Sequence, residues 1–240
     1  MKKILFFILI AFSIKYSIAQ TTNTIVIDPN AELRVVEDFS NIDVAGNLIT
    51  YISQGTKHAV AVSCSNEKYT PNIITKVENG TLKVRVEKPT FKLGKFNLKF
   101  RVYITVKQLN NLDISGACIV KTVDPINTNE FKMDISGASI FNGEIKTTLF
   151  KSDITGASVV NIKGNTITAN NHVSGASVLE SFNFISENCK LHVSGASVVK
   201  IKAIKDLYVK ASGASMVKYK GNPPATQLEA TGSSMIKPEQ

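Results

Sequence analysis

The chain has 240 residues, with 28 Lys+Arg against 19 Asp+Glu and a formal charge of +9. A hydrophobic share of 43% is enough for a sizeable core and excludes general disorder, and 20% charged residues argue against a long solvated helix or coiled coil. Three cysteines are too few for a disulfide scaffold, and the odd count leaves at least one unpaired.

The N-terminus reads as an export signal. Lys2 and Lys3 precede an apolar run over residues 4–14, and Ser17-Ile18-Ala19 places small residues before Gln20. This charged, apolar, small-residue order predicts a cleaved signal peptide over residues 1–19. The apolar run is short for a bilayer span, and Lys15 closes it. No second long apolar stretch follows, so no transmembrane span is expected after cleavage. Removing residues 1–19 takes away Lys2, Lys3 and Lys15 and no acid, and the charge falls from +9 to +6. Outside the cytoplasm, a modest positive balance points to anionic glycan or anionic membrane surfaces before nucleic acid. The expected location is periplasm, outer surface or medium.

Residues 20–109 contain strand-like runs. His58-Ala59-Val60-Ala61-Val62 alternates, with His58 expected at the surface where the strand begins. Asn79-Gly80, between Val77 and Leu82, predicts a tight hairpin. Residues 99–106 also alternate. The fragment from Phe39 to Gly46 echoes weakly a phrase that recurs later. This segment is expected to form hairpins that lead into the repeats and cap them, because the open end of a solenoid presents unpaired strand edges.

From residue 113 one phrase returns seven times. It begins as Asp113-Ile114-Ser115-Gly116-Ala117-Cys118-Ile119, and its glycines are Gly116, Gly137, Gly156, Gly175, Gly195, Gly213 and Gly232. Their spacings are 21, 19, 19, 20, 18 and 19 residues. A fixed period near 19 with Ile, Val and Thr in alternation predicts stacked β-coils. Residues 110–237 are therefore expected to be all-β, as a right-handed parallel β-helix with about 19 residues per coil. Seven coils stack to roughly 30 Å. The apolar residue two before each Gly should point inward. Gly should mark a bend with positive φ or no room for a side chain. Ser139, Ser158, Ser177, Ser197 and Ser215, two after Gly, should form a hydroxyl ladder with Cys118 at its head. That ladder either packs the bend or offers hydroxyls to a sugar chain. Pro223-Pro224 and Pro238 would limit further strand addition.

Three stretches together resemble a family. They are the repeated Ser-Gly-Ala-Ser phrase, residues 77–84 around Asn79-Gly80, and Val102-Tyr103-Ile104-Thr105-Val106 running into the first phrase. They are similar to the putative auto-transporter adhesin, head GIN domain family of secreted bacterial proteins, over about residues 35–236. The resemblance implies an exported β-helical domain and supplies no catalytic residues. Cys118 for Ser and Ser233 for Ala are departures from the phrase.

Candidate contact residues follow from the columns that stacking creates. Asp113, Asp134 and Asp153 would share one column, as a polar face or a grip for a divalent cation. His172 and His192 would continue it, two imidazoles short of a full metal set. Lys200, Lys202 and Lys210, with Lys205, Lys218 and Lys220, crowd the last coils, either as a contact for anionic polysaccharide or as edge lysines that block strand addition. No phosphate loop, metalloprotease pair or nucleophile elbow is present. The expected function is that of a non-enzymatic surface or interaction module for glycan or extracellular protein, without cofactor or metal. The alternatives are a β-helix enzyme acting on acidic polysaccharide and a self-associating envelope protein.

Overall fold

The computed structural model describes residues 28–87 and 98–240, and the expected signal peptide lies outside the described residues. Those residues form a β-solenoid of about seven turns with about 19 residues per coil. The strands Ile140–Ile154, Val159–Val173, Val178–Val193 and Val198–Ala211 each occupy most of a coil. Each pairs in parallel with the coil before and after it, so that Ile154 lies beside Val173 and Val193 beside Ala211. A single coil satisfies few of its own amides; its neighbours supply the partners.

Alternation within each strand builds the core. Ile114, Ile135, Ile154, Val173, Val193 and Ala211, all two residues before a Gly, are buried in a file. Phe131 stacks on Phe150 at 6.2 Å between ring centroids, and Phe150 meets Phe184 edge-on at 5.0 Å. Burial of such rings supplies about 1.5–3 kcal/mol each. Asn171 is also inside, where it accepts a 2.7 Å hydrogen bond from Ser152. The three cysteines are buried and unpaired.

Unequal glycine spacings are absorbed away from the bends. Registers shift between Asn161 and Gly164, between Ser181 and Ile185, and between Ser186 and Asn188. These irregularities act as bulges, so the 20-residue and 18-residue coils still align their glycines.

The coil begins inside the segment expected as a cap. Asn41–Gly46 pairs in parallel with Asn111–Gly116, residue for residue, which sets Gly46 beside Gly116. Leu48–Gln54 continues that coil against Ile119–Thr122. On the far side these strands pair with Thr81–Val86 and Phe100–Val106. Antiparallel strands then close this end: Ile73–Glu78 on Thr81–Val86, and Ala59–Cys64 on Phe100–Val106. Asn79 and Gly80 both take positive φ, 51° and 70°, the type I′ hairpin that their sequence predicts. At the other end the last coil, Ala225–Ala230 and Met235–Pro238, lies open. Leu228 and Met235 are 40% and 50% exposed there, although Leu228 stands beside the buried Val209.

The glycine bends are built on close approach. The seven repeat glycines have φ between 69° and 85°. The carbonyl of each of the first six accepts the amide of the residue after the next coil's Gly, as in Ala138 N to Gly116 O at 2.7 Å and Ala176 N to Gly156 O at 2.8 Å. A Cβ on Gly175 would run into Gly156 O. Gly175→Val is expected to lower stability by about 4 kcal/mol, combining backbone strain with overpacking. Gly80→Ala, with the same sign of φ but open space around it, should cost about 1 kcal/mol. Urea denaturation of the two variants checks this; equal losses would remove close stacking as the cause.

Candidate functional site

Residues between the buried positions face outward and stack in columns about 4.8 Å apart from coil to coil. One column runs Asp43, Asp113, Asp134, Asp153, His172, His192, Lys210 and Glu229. The three predicted aspartates are thus brought together, and Asp43 joins them from far upstream in sequence. Arg85 neutralises Asp43 with an ion pair, and Lys132 donates to Asp134 at 2.6 Å. Asp113 has no cation of its own in ion-pair range among the described residues. Burial, the neighbouring Asp134 charge and a hydrogen bond to Asp134 raise its pKa above the ordinary value of 3.8, against the opposing pull of Lys132.

Asp113, Asp134 and Asp153 line a shallow cavity of about 390 Å³. Its other polar groups are the Lys132 ammonium and the hydroxyls of Ser115, Ser136 and Thr155, the first Ser or Thr of each phrase. The second Ser of the phrase is placed differently. Ser139, Ser158, Ser177 and Ser197 are fully buried and Ser215 is 2% exposed. Ser158 donates to Thr155 O at 2.9 Å, and Ser197 to Ser194 O at 3.0 Å. The hydroxyl ladder expected to offer itself to a sugar therefore points into the bend, where it serves backbone carbonyls. Cys118 heads it and donates weakly to Ser115 O at 3.3 Å. Burial pushes the Cys189 thiol up to about 12, which leaves it without thiolate character at neutral pH.

His172 and His192 are adjacent in register, and His192 sits edge-on to Tyr208. Burial, with the charges of Lys190, His172 and Lys210, lowers the His192 pKa and favours the neutral ring. Among the described residues no group of three or more His, Cys, Asp or Glu is arranged to hold a metal ion. His58, expected at the surface, has a side chain only 8% exposed and packs on the Phe39 ring at 4.7 Å.

The lysines of the last coils separate onto different faces. Lys210 lies 3.7 Å from Glu229 in the aspartate column, and Lys205 pairs with Glu187 at 2.6 Å. The others gather on a second wall: Lys200, Lys218 and Lys237 in one column, Lys202 and Lys220 in the next. Glu180 takes Lys200 at 2.8 Å, and Glu239 takes Lys218 at 2.9 Å. Among the described residues no carboxylate lies in ion-pair range of Lys202, Lys220 or Lys237. Phe182 sits among them, its ring centroid 5.1 Å from Lys220 Nζ and 6.0 Å from Lys200 Nζ. The column principle thus separates faces that linear spacing merges.

Fold and columns define a β-solenoid whose variable chemistry is carried on its outer walls. The chain belongs to the family described as putative auto-transporter adhesin, head GIN domain, whose model matches residues 38–223. A putative adhesin from Bacteroides fragilis NCTC 9343 has a similar structure, with a TM-score of 0.76 and 21% identity over 87% of this chain and 96% of that one. A putative lipid binding protein from Parabacteroides distasonis ATCC 8503 is similar at TM-score 0.66 and 17% identity, over 88% and 96% of the two chains. A putative adhesin from Parabacteroides merdae ATCC 43184 reaches TM-score 0.64 at 17% identity, over 88% and 95%. Among curated proteins none matches the chain. Among the described residues no helix is long and apolar enough to cross a membrane.

The Asp113 environment has a testable sign. With its folded pKa above the unfolded value, the folded state holds the proton more tightly, so stability falls as pH rises from the unfolded to the folded pKa. Asp113→Asn should therefore be more stable than the parent at pH 7, and the gap should close as pH drops below the ordinary carboxylate value of 3.8. Urea midpoints at neutral and acid pH measure it; a variant less stable at neutral pH would show that Asp113 is favourably paired.

Proposed function

We propose that this chain is an exported, non-enzymatic adhesion module that holds an anionic glycan against its lysine wall. The observation that carries the reading is the pair of columns with Lys202, Lys220 and Lys237, three ammonium groups without carboxylate partners among the described residues. A stacked array of like charges is tolerable in salt water, and it attracts a polyanion from solution. The family's adhesin description supports an interaction role, and the first nineteen residues support export. Extended coils with flat walls suit a long polymer better than a small substrate.

Binding to heparin and to polygalacturonate tests this. The parent should bind at least one of them at low salt and release it as salt rises. Replacing Lys202, Lys220 and Lys237 together by Ala should weaken that binding about tenfold, the sum of three exposed ion pairs. Unchanged binding in the triple variant, or no binding of either polymer at low salt, would overturn the proposal.

One observation favours a second reading. Asp113, Asp134 and Asp153 share a groove with Lys132, and Asp113, its pKa raised by burial and by the Asp134 charge, stands beside an ion-paired Asp134. An acid next to a carboxylate is the pairing that glycoside cleavage uses. Turnover of an acidic polysaccharide that Asp134→Asn with Asp153→Asn abolishes would establish this reading; its absence in the parent would end it.

A further inference from the structure

A different face carries a binding slot that does not depend on the lysine wall. Two outward columns run side by side across the last four coils. One holds Asn170, Lys190, Tyr208 and Gln227, and the other holds Asn188, Asp206 and Ala225. Columns two residues apart along a strand stand about 7 Å apart. The slot between them is a cavity of about 430 Å³, within the range of small-molecule sites. Ala225, entered directly from Pro223-Pro224, has too little side chain to fill it at the last coil.

Its chemistry is specific. Tyr208 supplies a half-buried ring packed edge-on against His192 at 5.7 Å between centroids. Lys190 Nζ stands 5.7 Å from the Tyr208 centroid and has no carboxylate in range among the described residues. The Asn170 amide and the Asp206 carboxylate have no hydrogen-bond or ion-pair partner among the described residues, and Asn188 makes only a 3.5 Å bond to Ile167 O. The slot thus offers donors and acceptors from the amides of Asn170, Asn188 and Gln227, an ammonium, a carboxylate and an aromatic face. The one ammonium and the one carboxylate balance, so a polyanion gains nothing here. A ring that is apolar on its C–H face and ringed by hydroxyls, each both donor and acceptor, matches that set. We propose that this slot binds a neutral saccharide, with a pyranose face against Tyr208 and its hydroxyls on Asn170, Asn188 and Asp206.

Titrating the full chain with cellotriose, N-acetylglucosamine trimer and mannotriose tests this, followed by tyrosine fluorescence, since the chain has no Trp, and by calorimetry. At least one trimer should saturate in the millimolar range with an affinity indifferent to salt. Tyr208→Ala should weaken it at least tenfold and Tyr208→Phe little. Asn170→Leu and Asp206→Ala, both at exposed positions and so compatible with folding, should each weaken it severalfold. The proposal fails if no trimer saturates, if binding survives all three weakening substitutions, or if it disappears with salt or with the lysine-wall triple variant. In that last case the sugar is bound on the other face. Loss of polyanion binding by the triple variant with trimer binding intact separates this slot from the adhesive wall.

Discussion

The amide of each Ala-position residue donates to the glycine carbonyl of the coil below at 2.7–2.8 Å, and everything else in the molecule is arranged around that contact. At this separation no Cβ fits between successive bends, and the backbone must turn through positive φ. Glycine meets both demands at once. The buried Ser beside most of the bends then braces the turn by bonding its backbone carbonyls, as Ser158 does with Thr155 O and Ser197 with Ser194 O. With the bends stacked, inward residues meet as a continuous core, and outward residues meet as columns. Chemistry on the surface is therefore set by vertical neighbours one coil apart rather than by neighbours along the chain.

Much of this was legible in the sequence because it is local and repeated. The recurring phrase marks the bends, and Asn79-Gly80 marks its hairpin through backbone preferences that act over two residues. What was hidden is non-local. Gly46 lies beside Gly116, but a long excursion through hairpins separates them, so no period reveals the first coil. The two serines of each phrase look alike in one dimension. The glycine bend between them decides that Ser115 and Ser136 face the groove while Ser139 and Ser158 face inward. The lysines of the last coils read as one patch because spacing along the chain carries no information about which wall is reached. Tyr208 was visible in principle: aligned five residues before each Gly, it is a lone aromatic in a column of amides and lysines.

The electrostatics follow the same vertical order. Aspartates occupy the early coils of one column, imidazoles the middle, and an ion-paired Lys210 and Glu229 the last. A second wall concentrates ammonium groups around Phe182. Segregation of this kind gives the solenoid several chemically distinct faces built from strand positions alone.

The register shifts at Asn161–Gly164 and Ser181–Ile185 have a consequence for how such a chain tolerates change. Because extra or missing residues are taken up at these bulges, the strand stretches on either side keep their coil-to-coil register. Lengthening a bulge by a residue leaves the order of side chains on the flanking stretches intact. Such a scaffold can acquire insertions, and with them new recognition loops, while its existing faces keep their pattern.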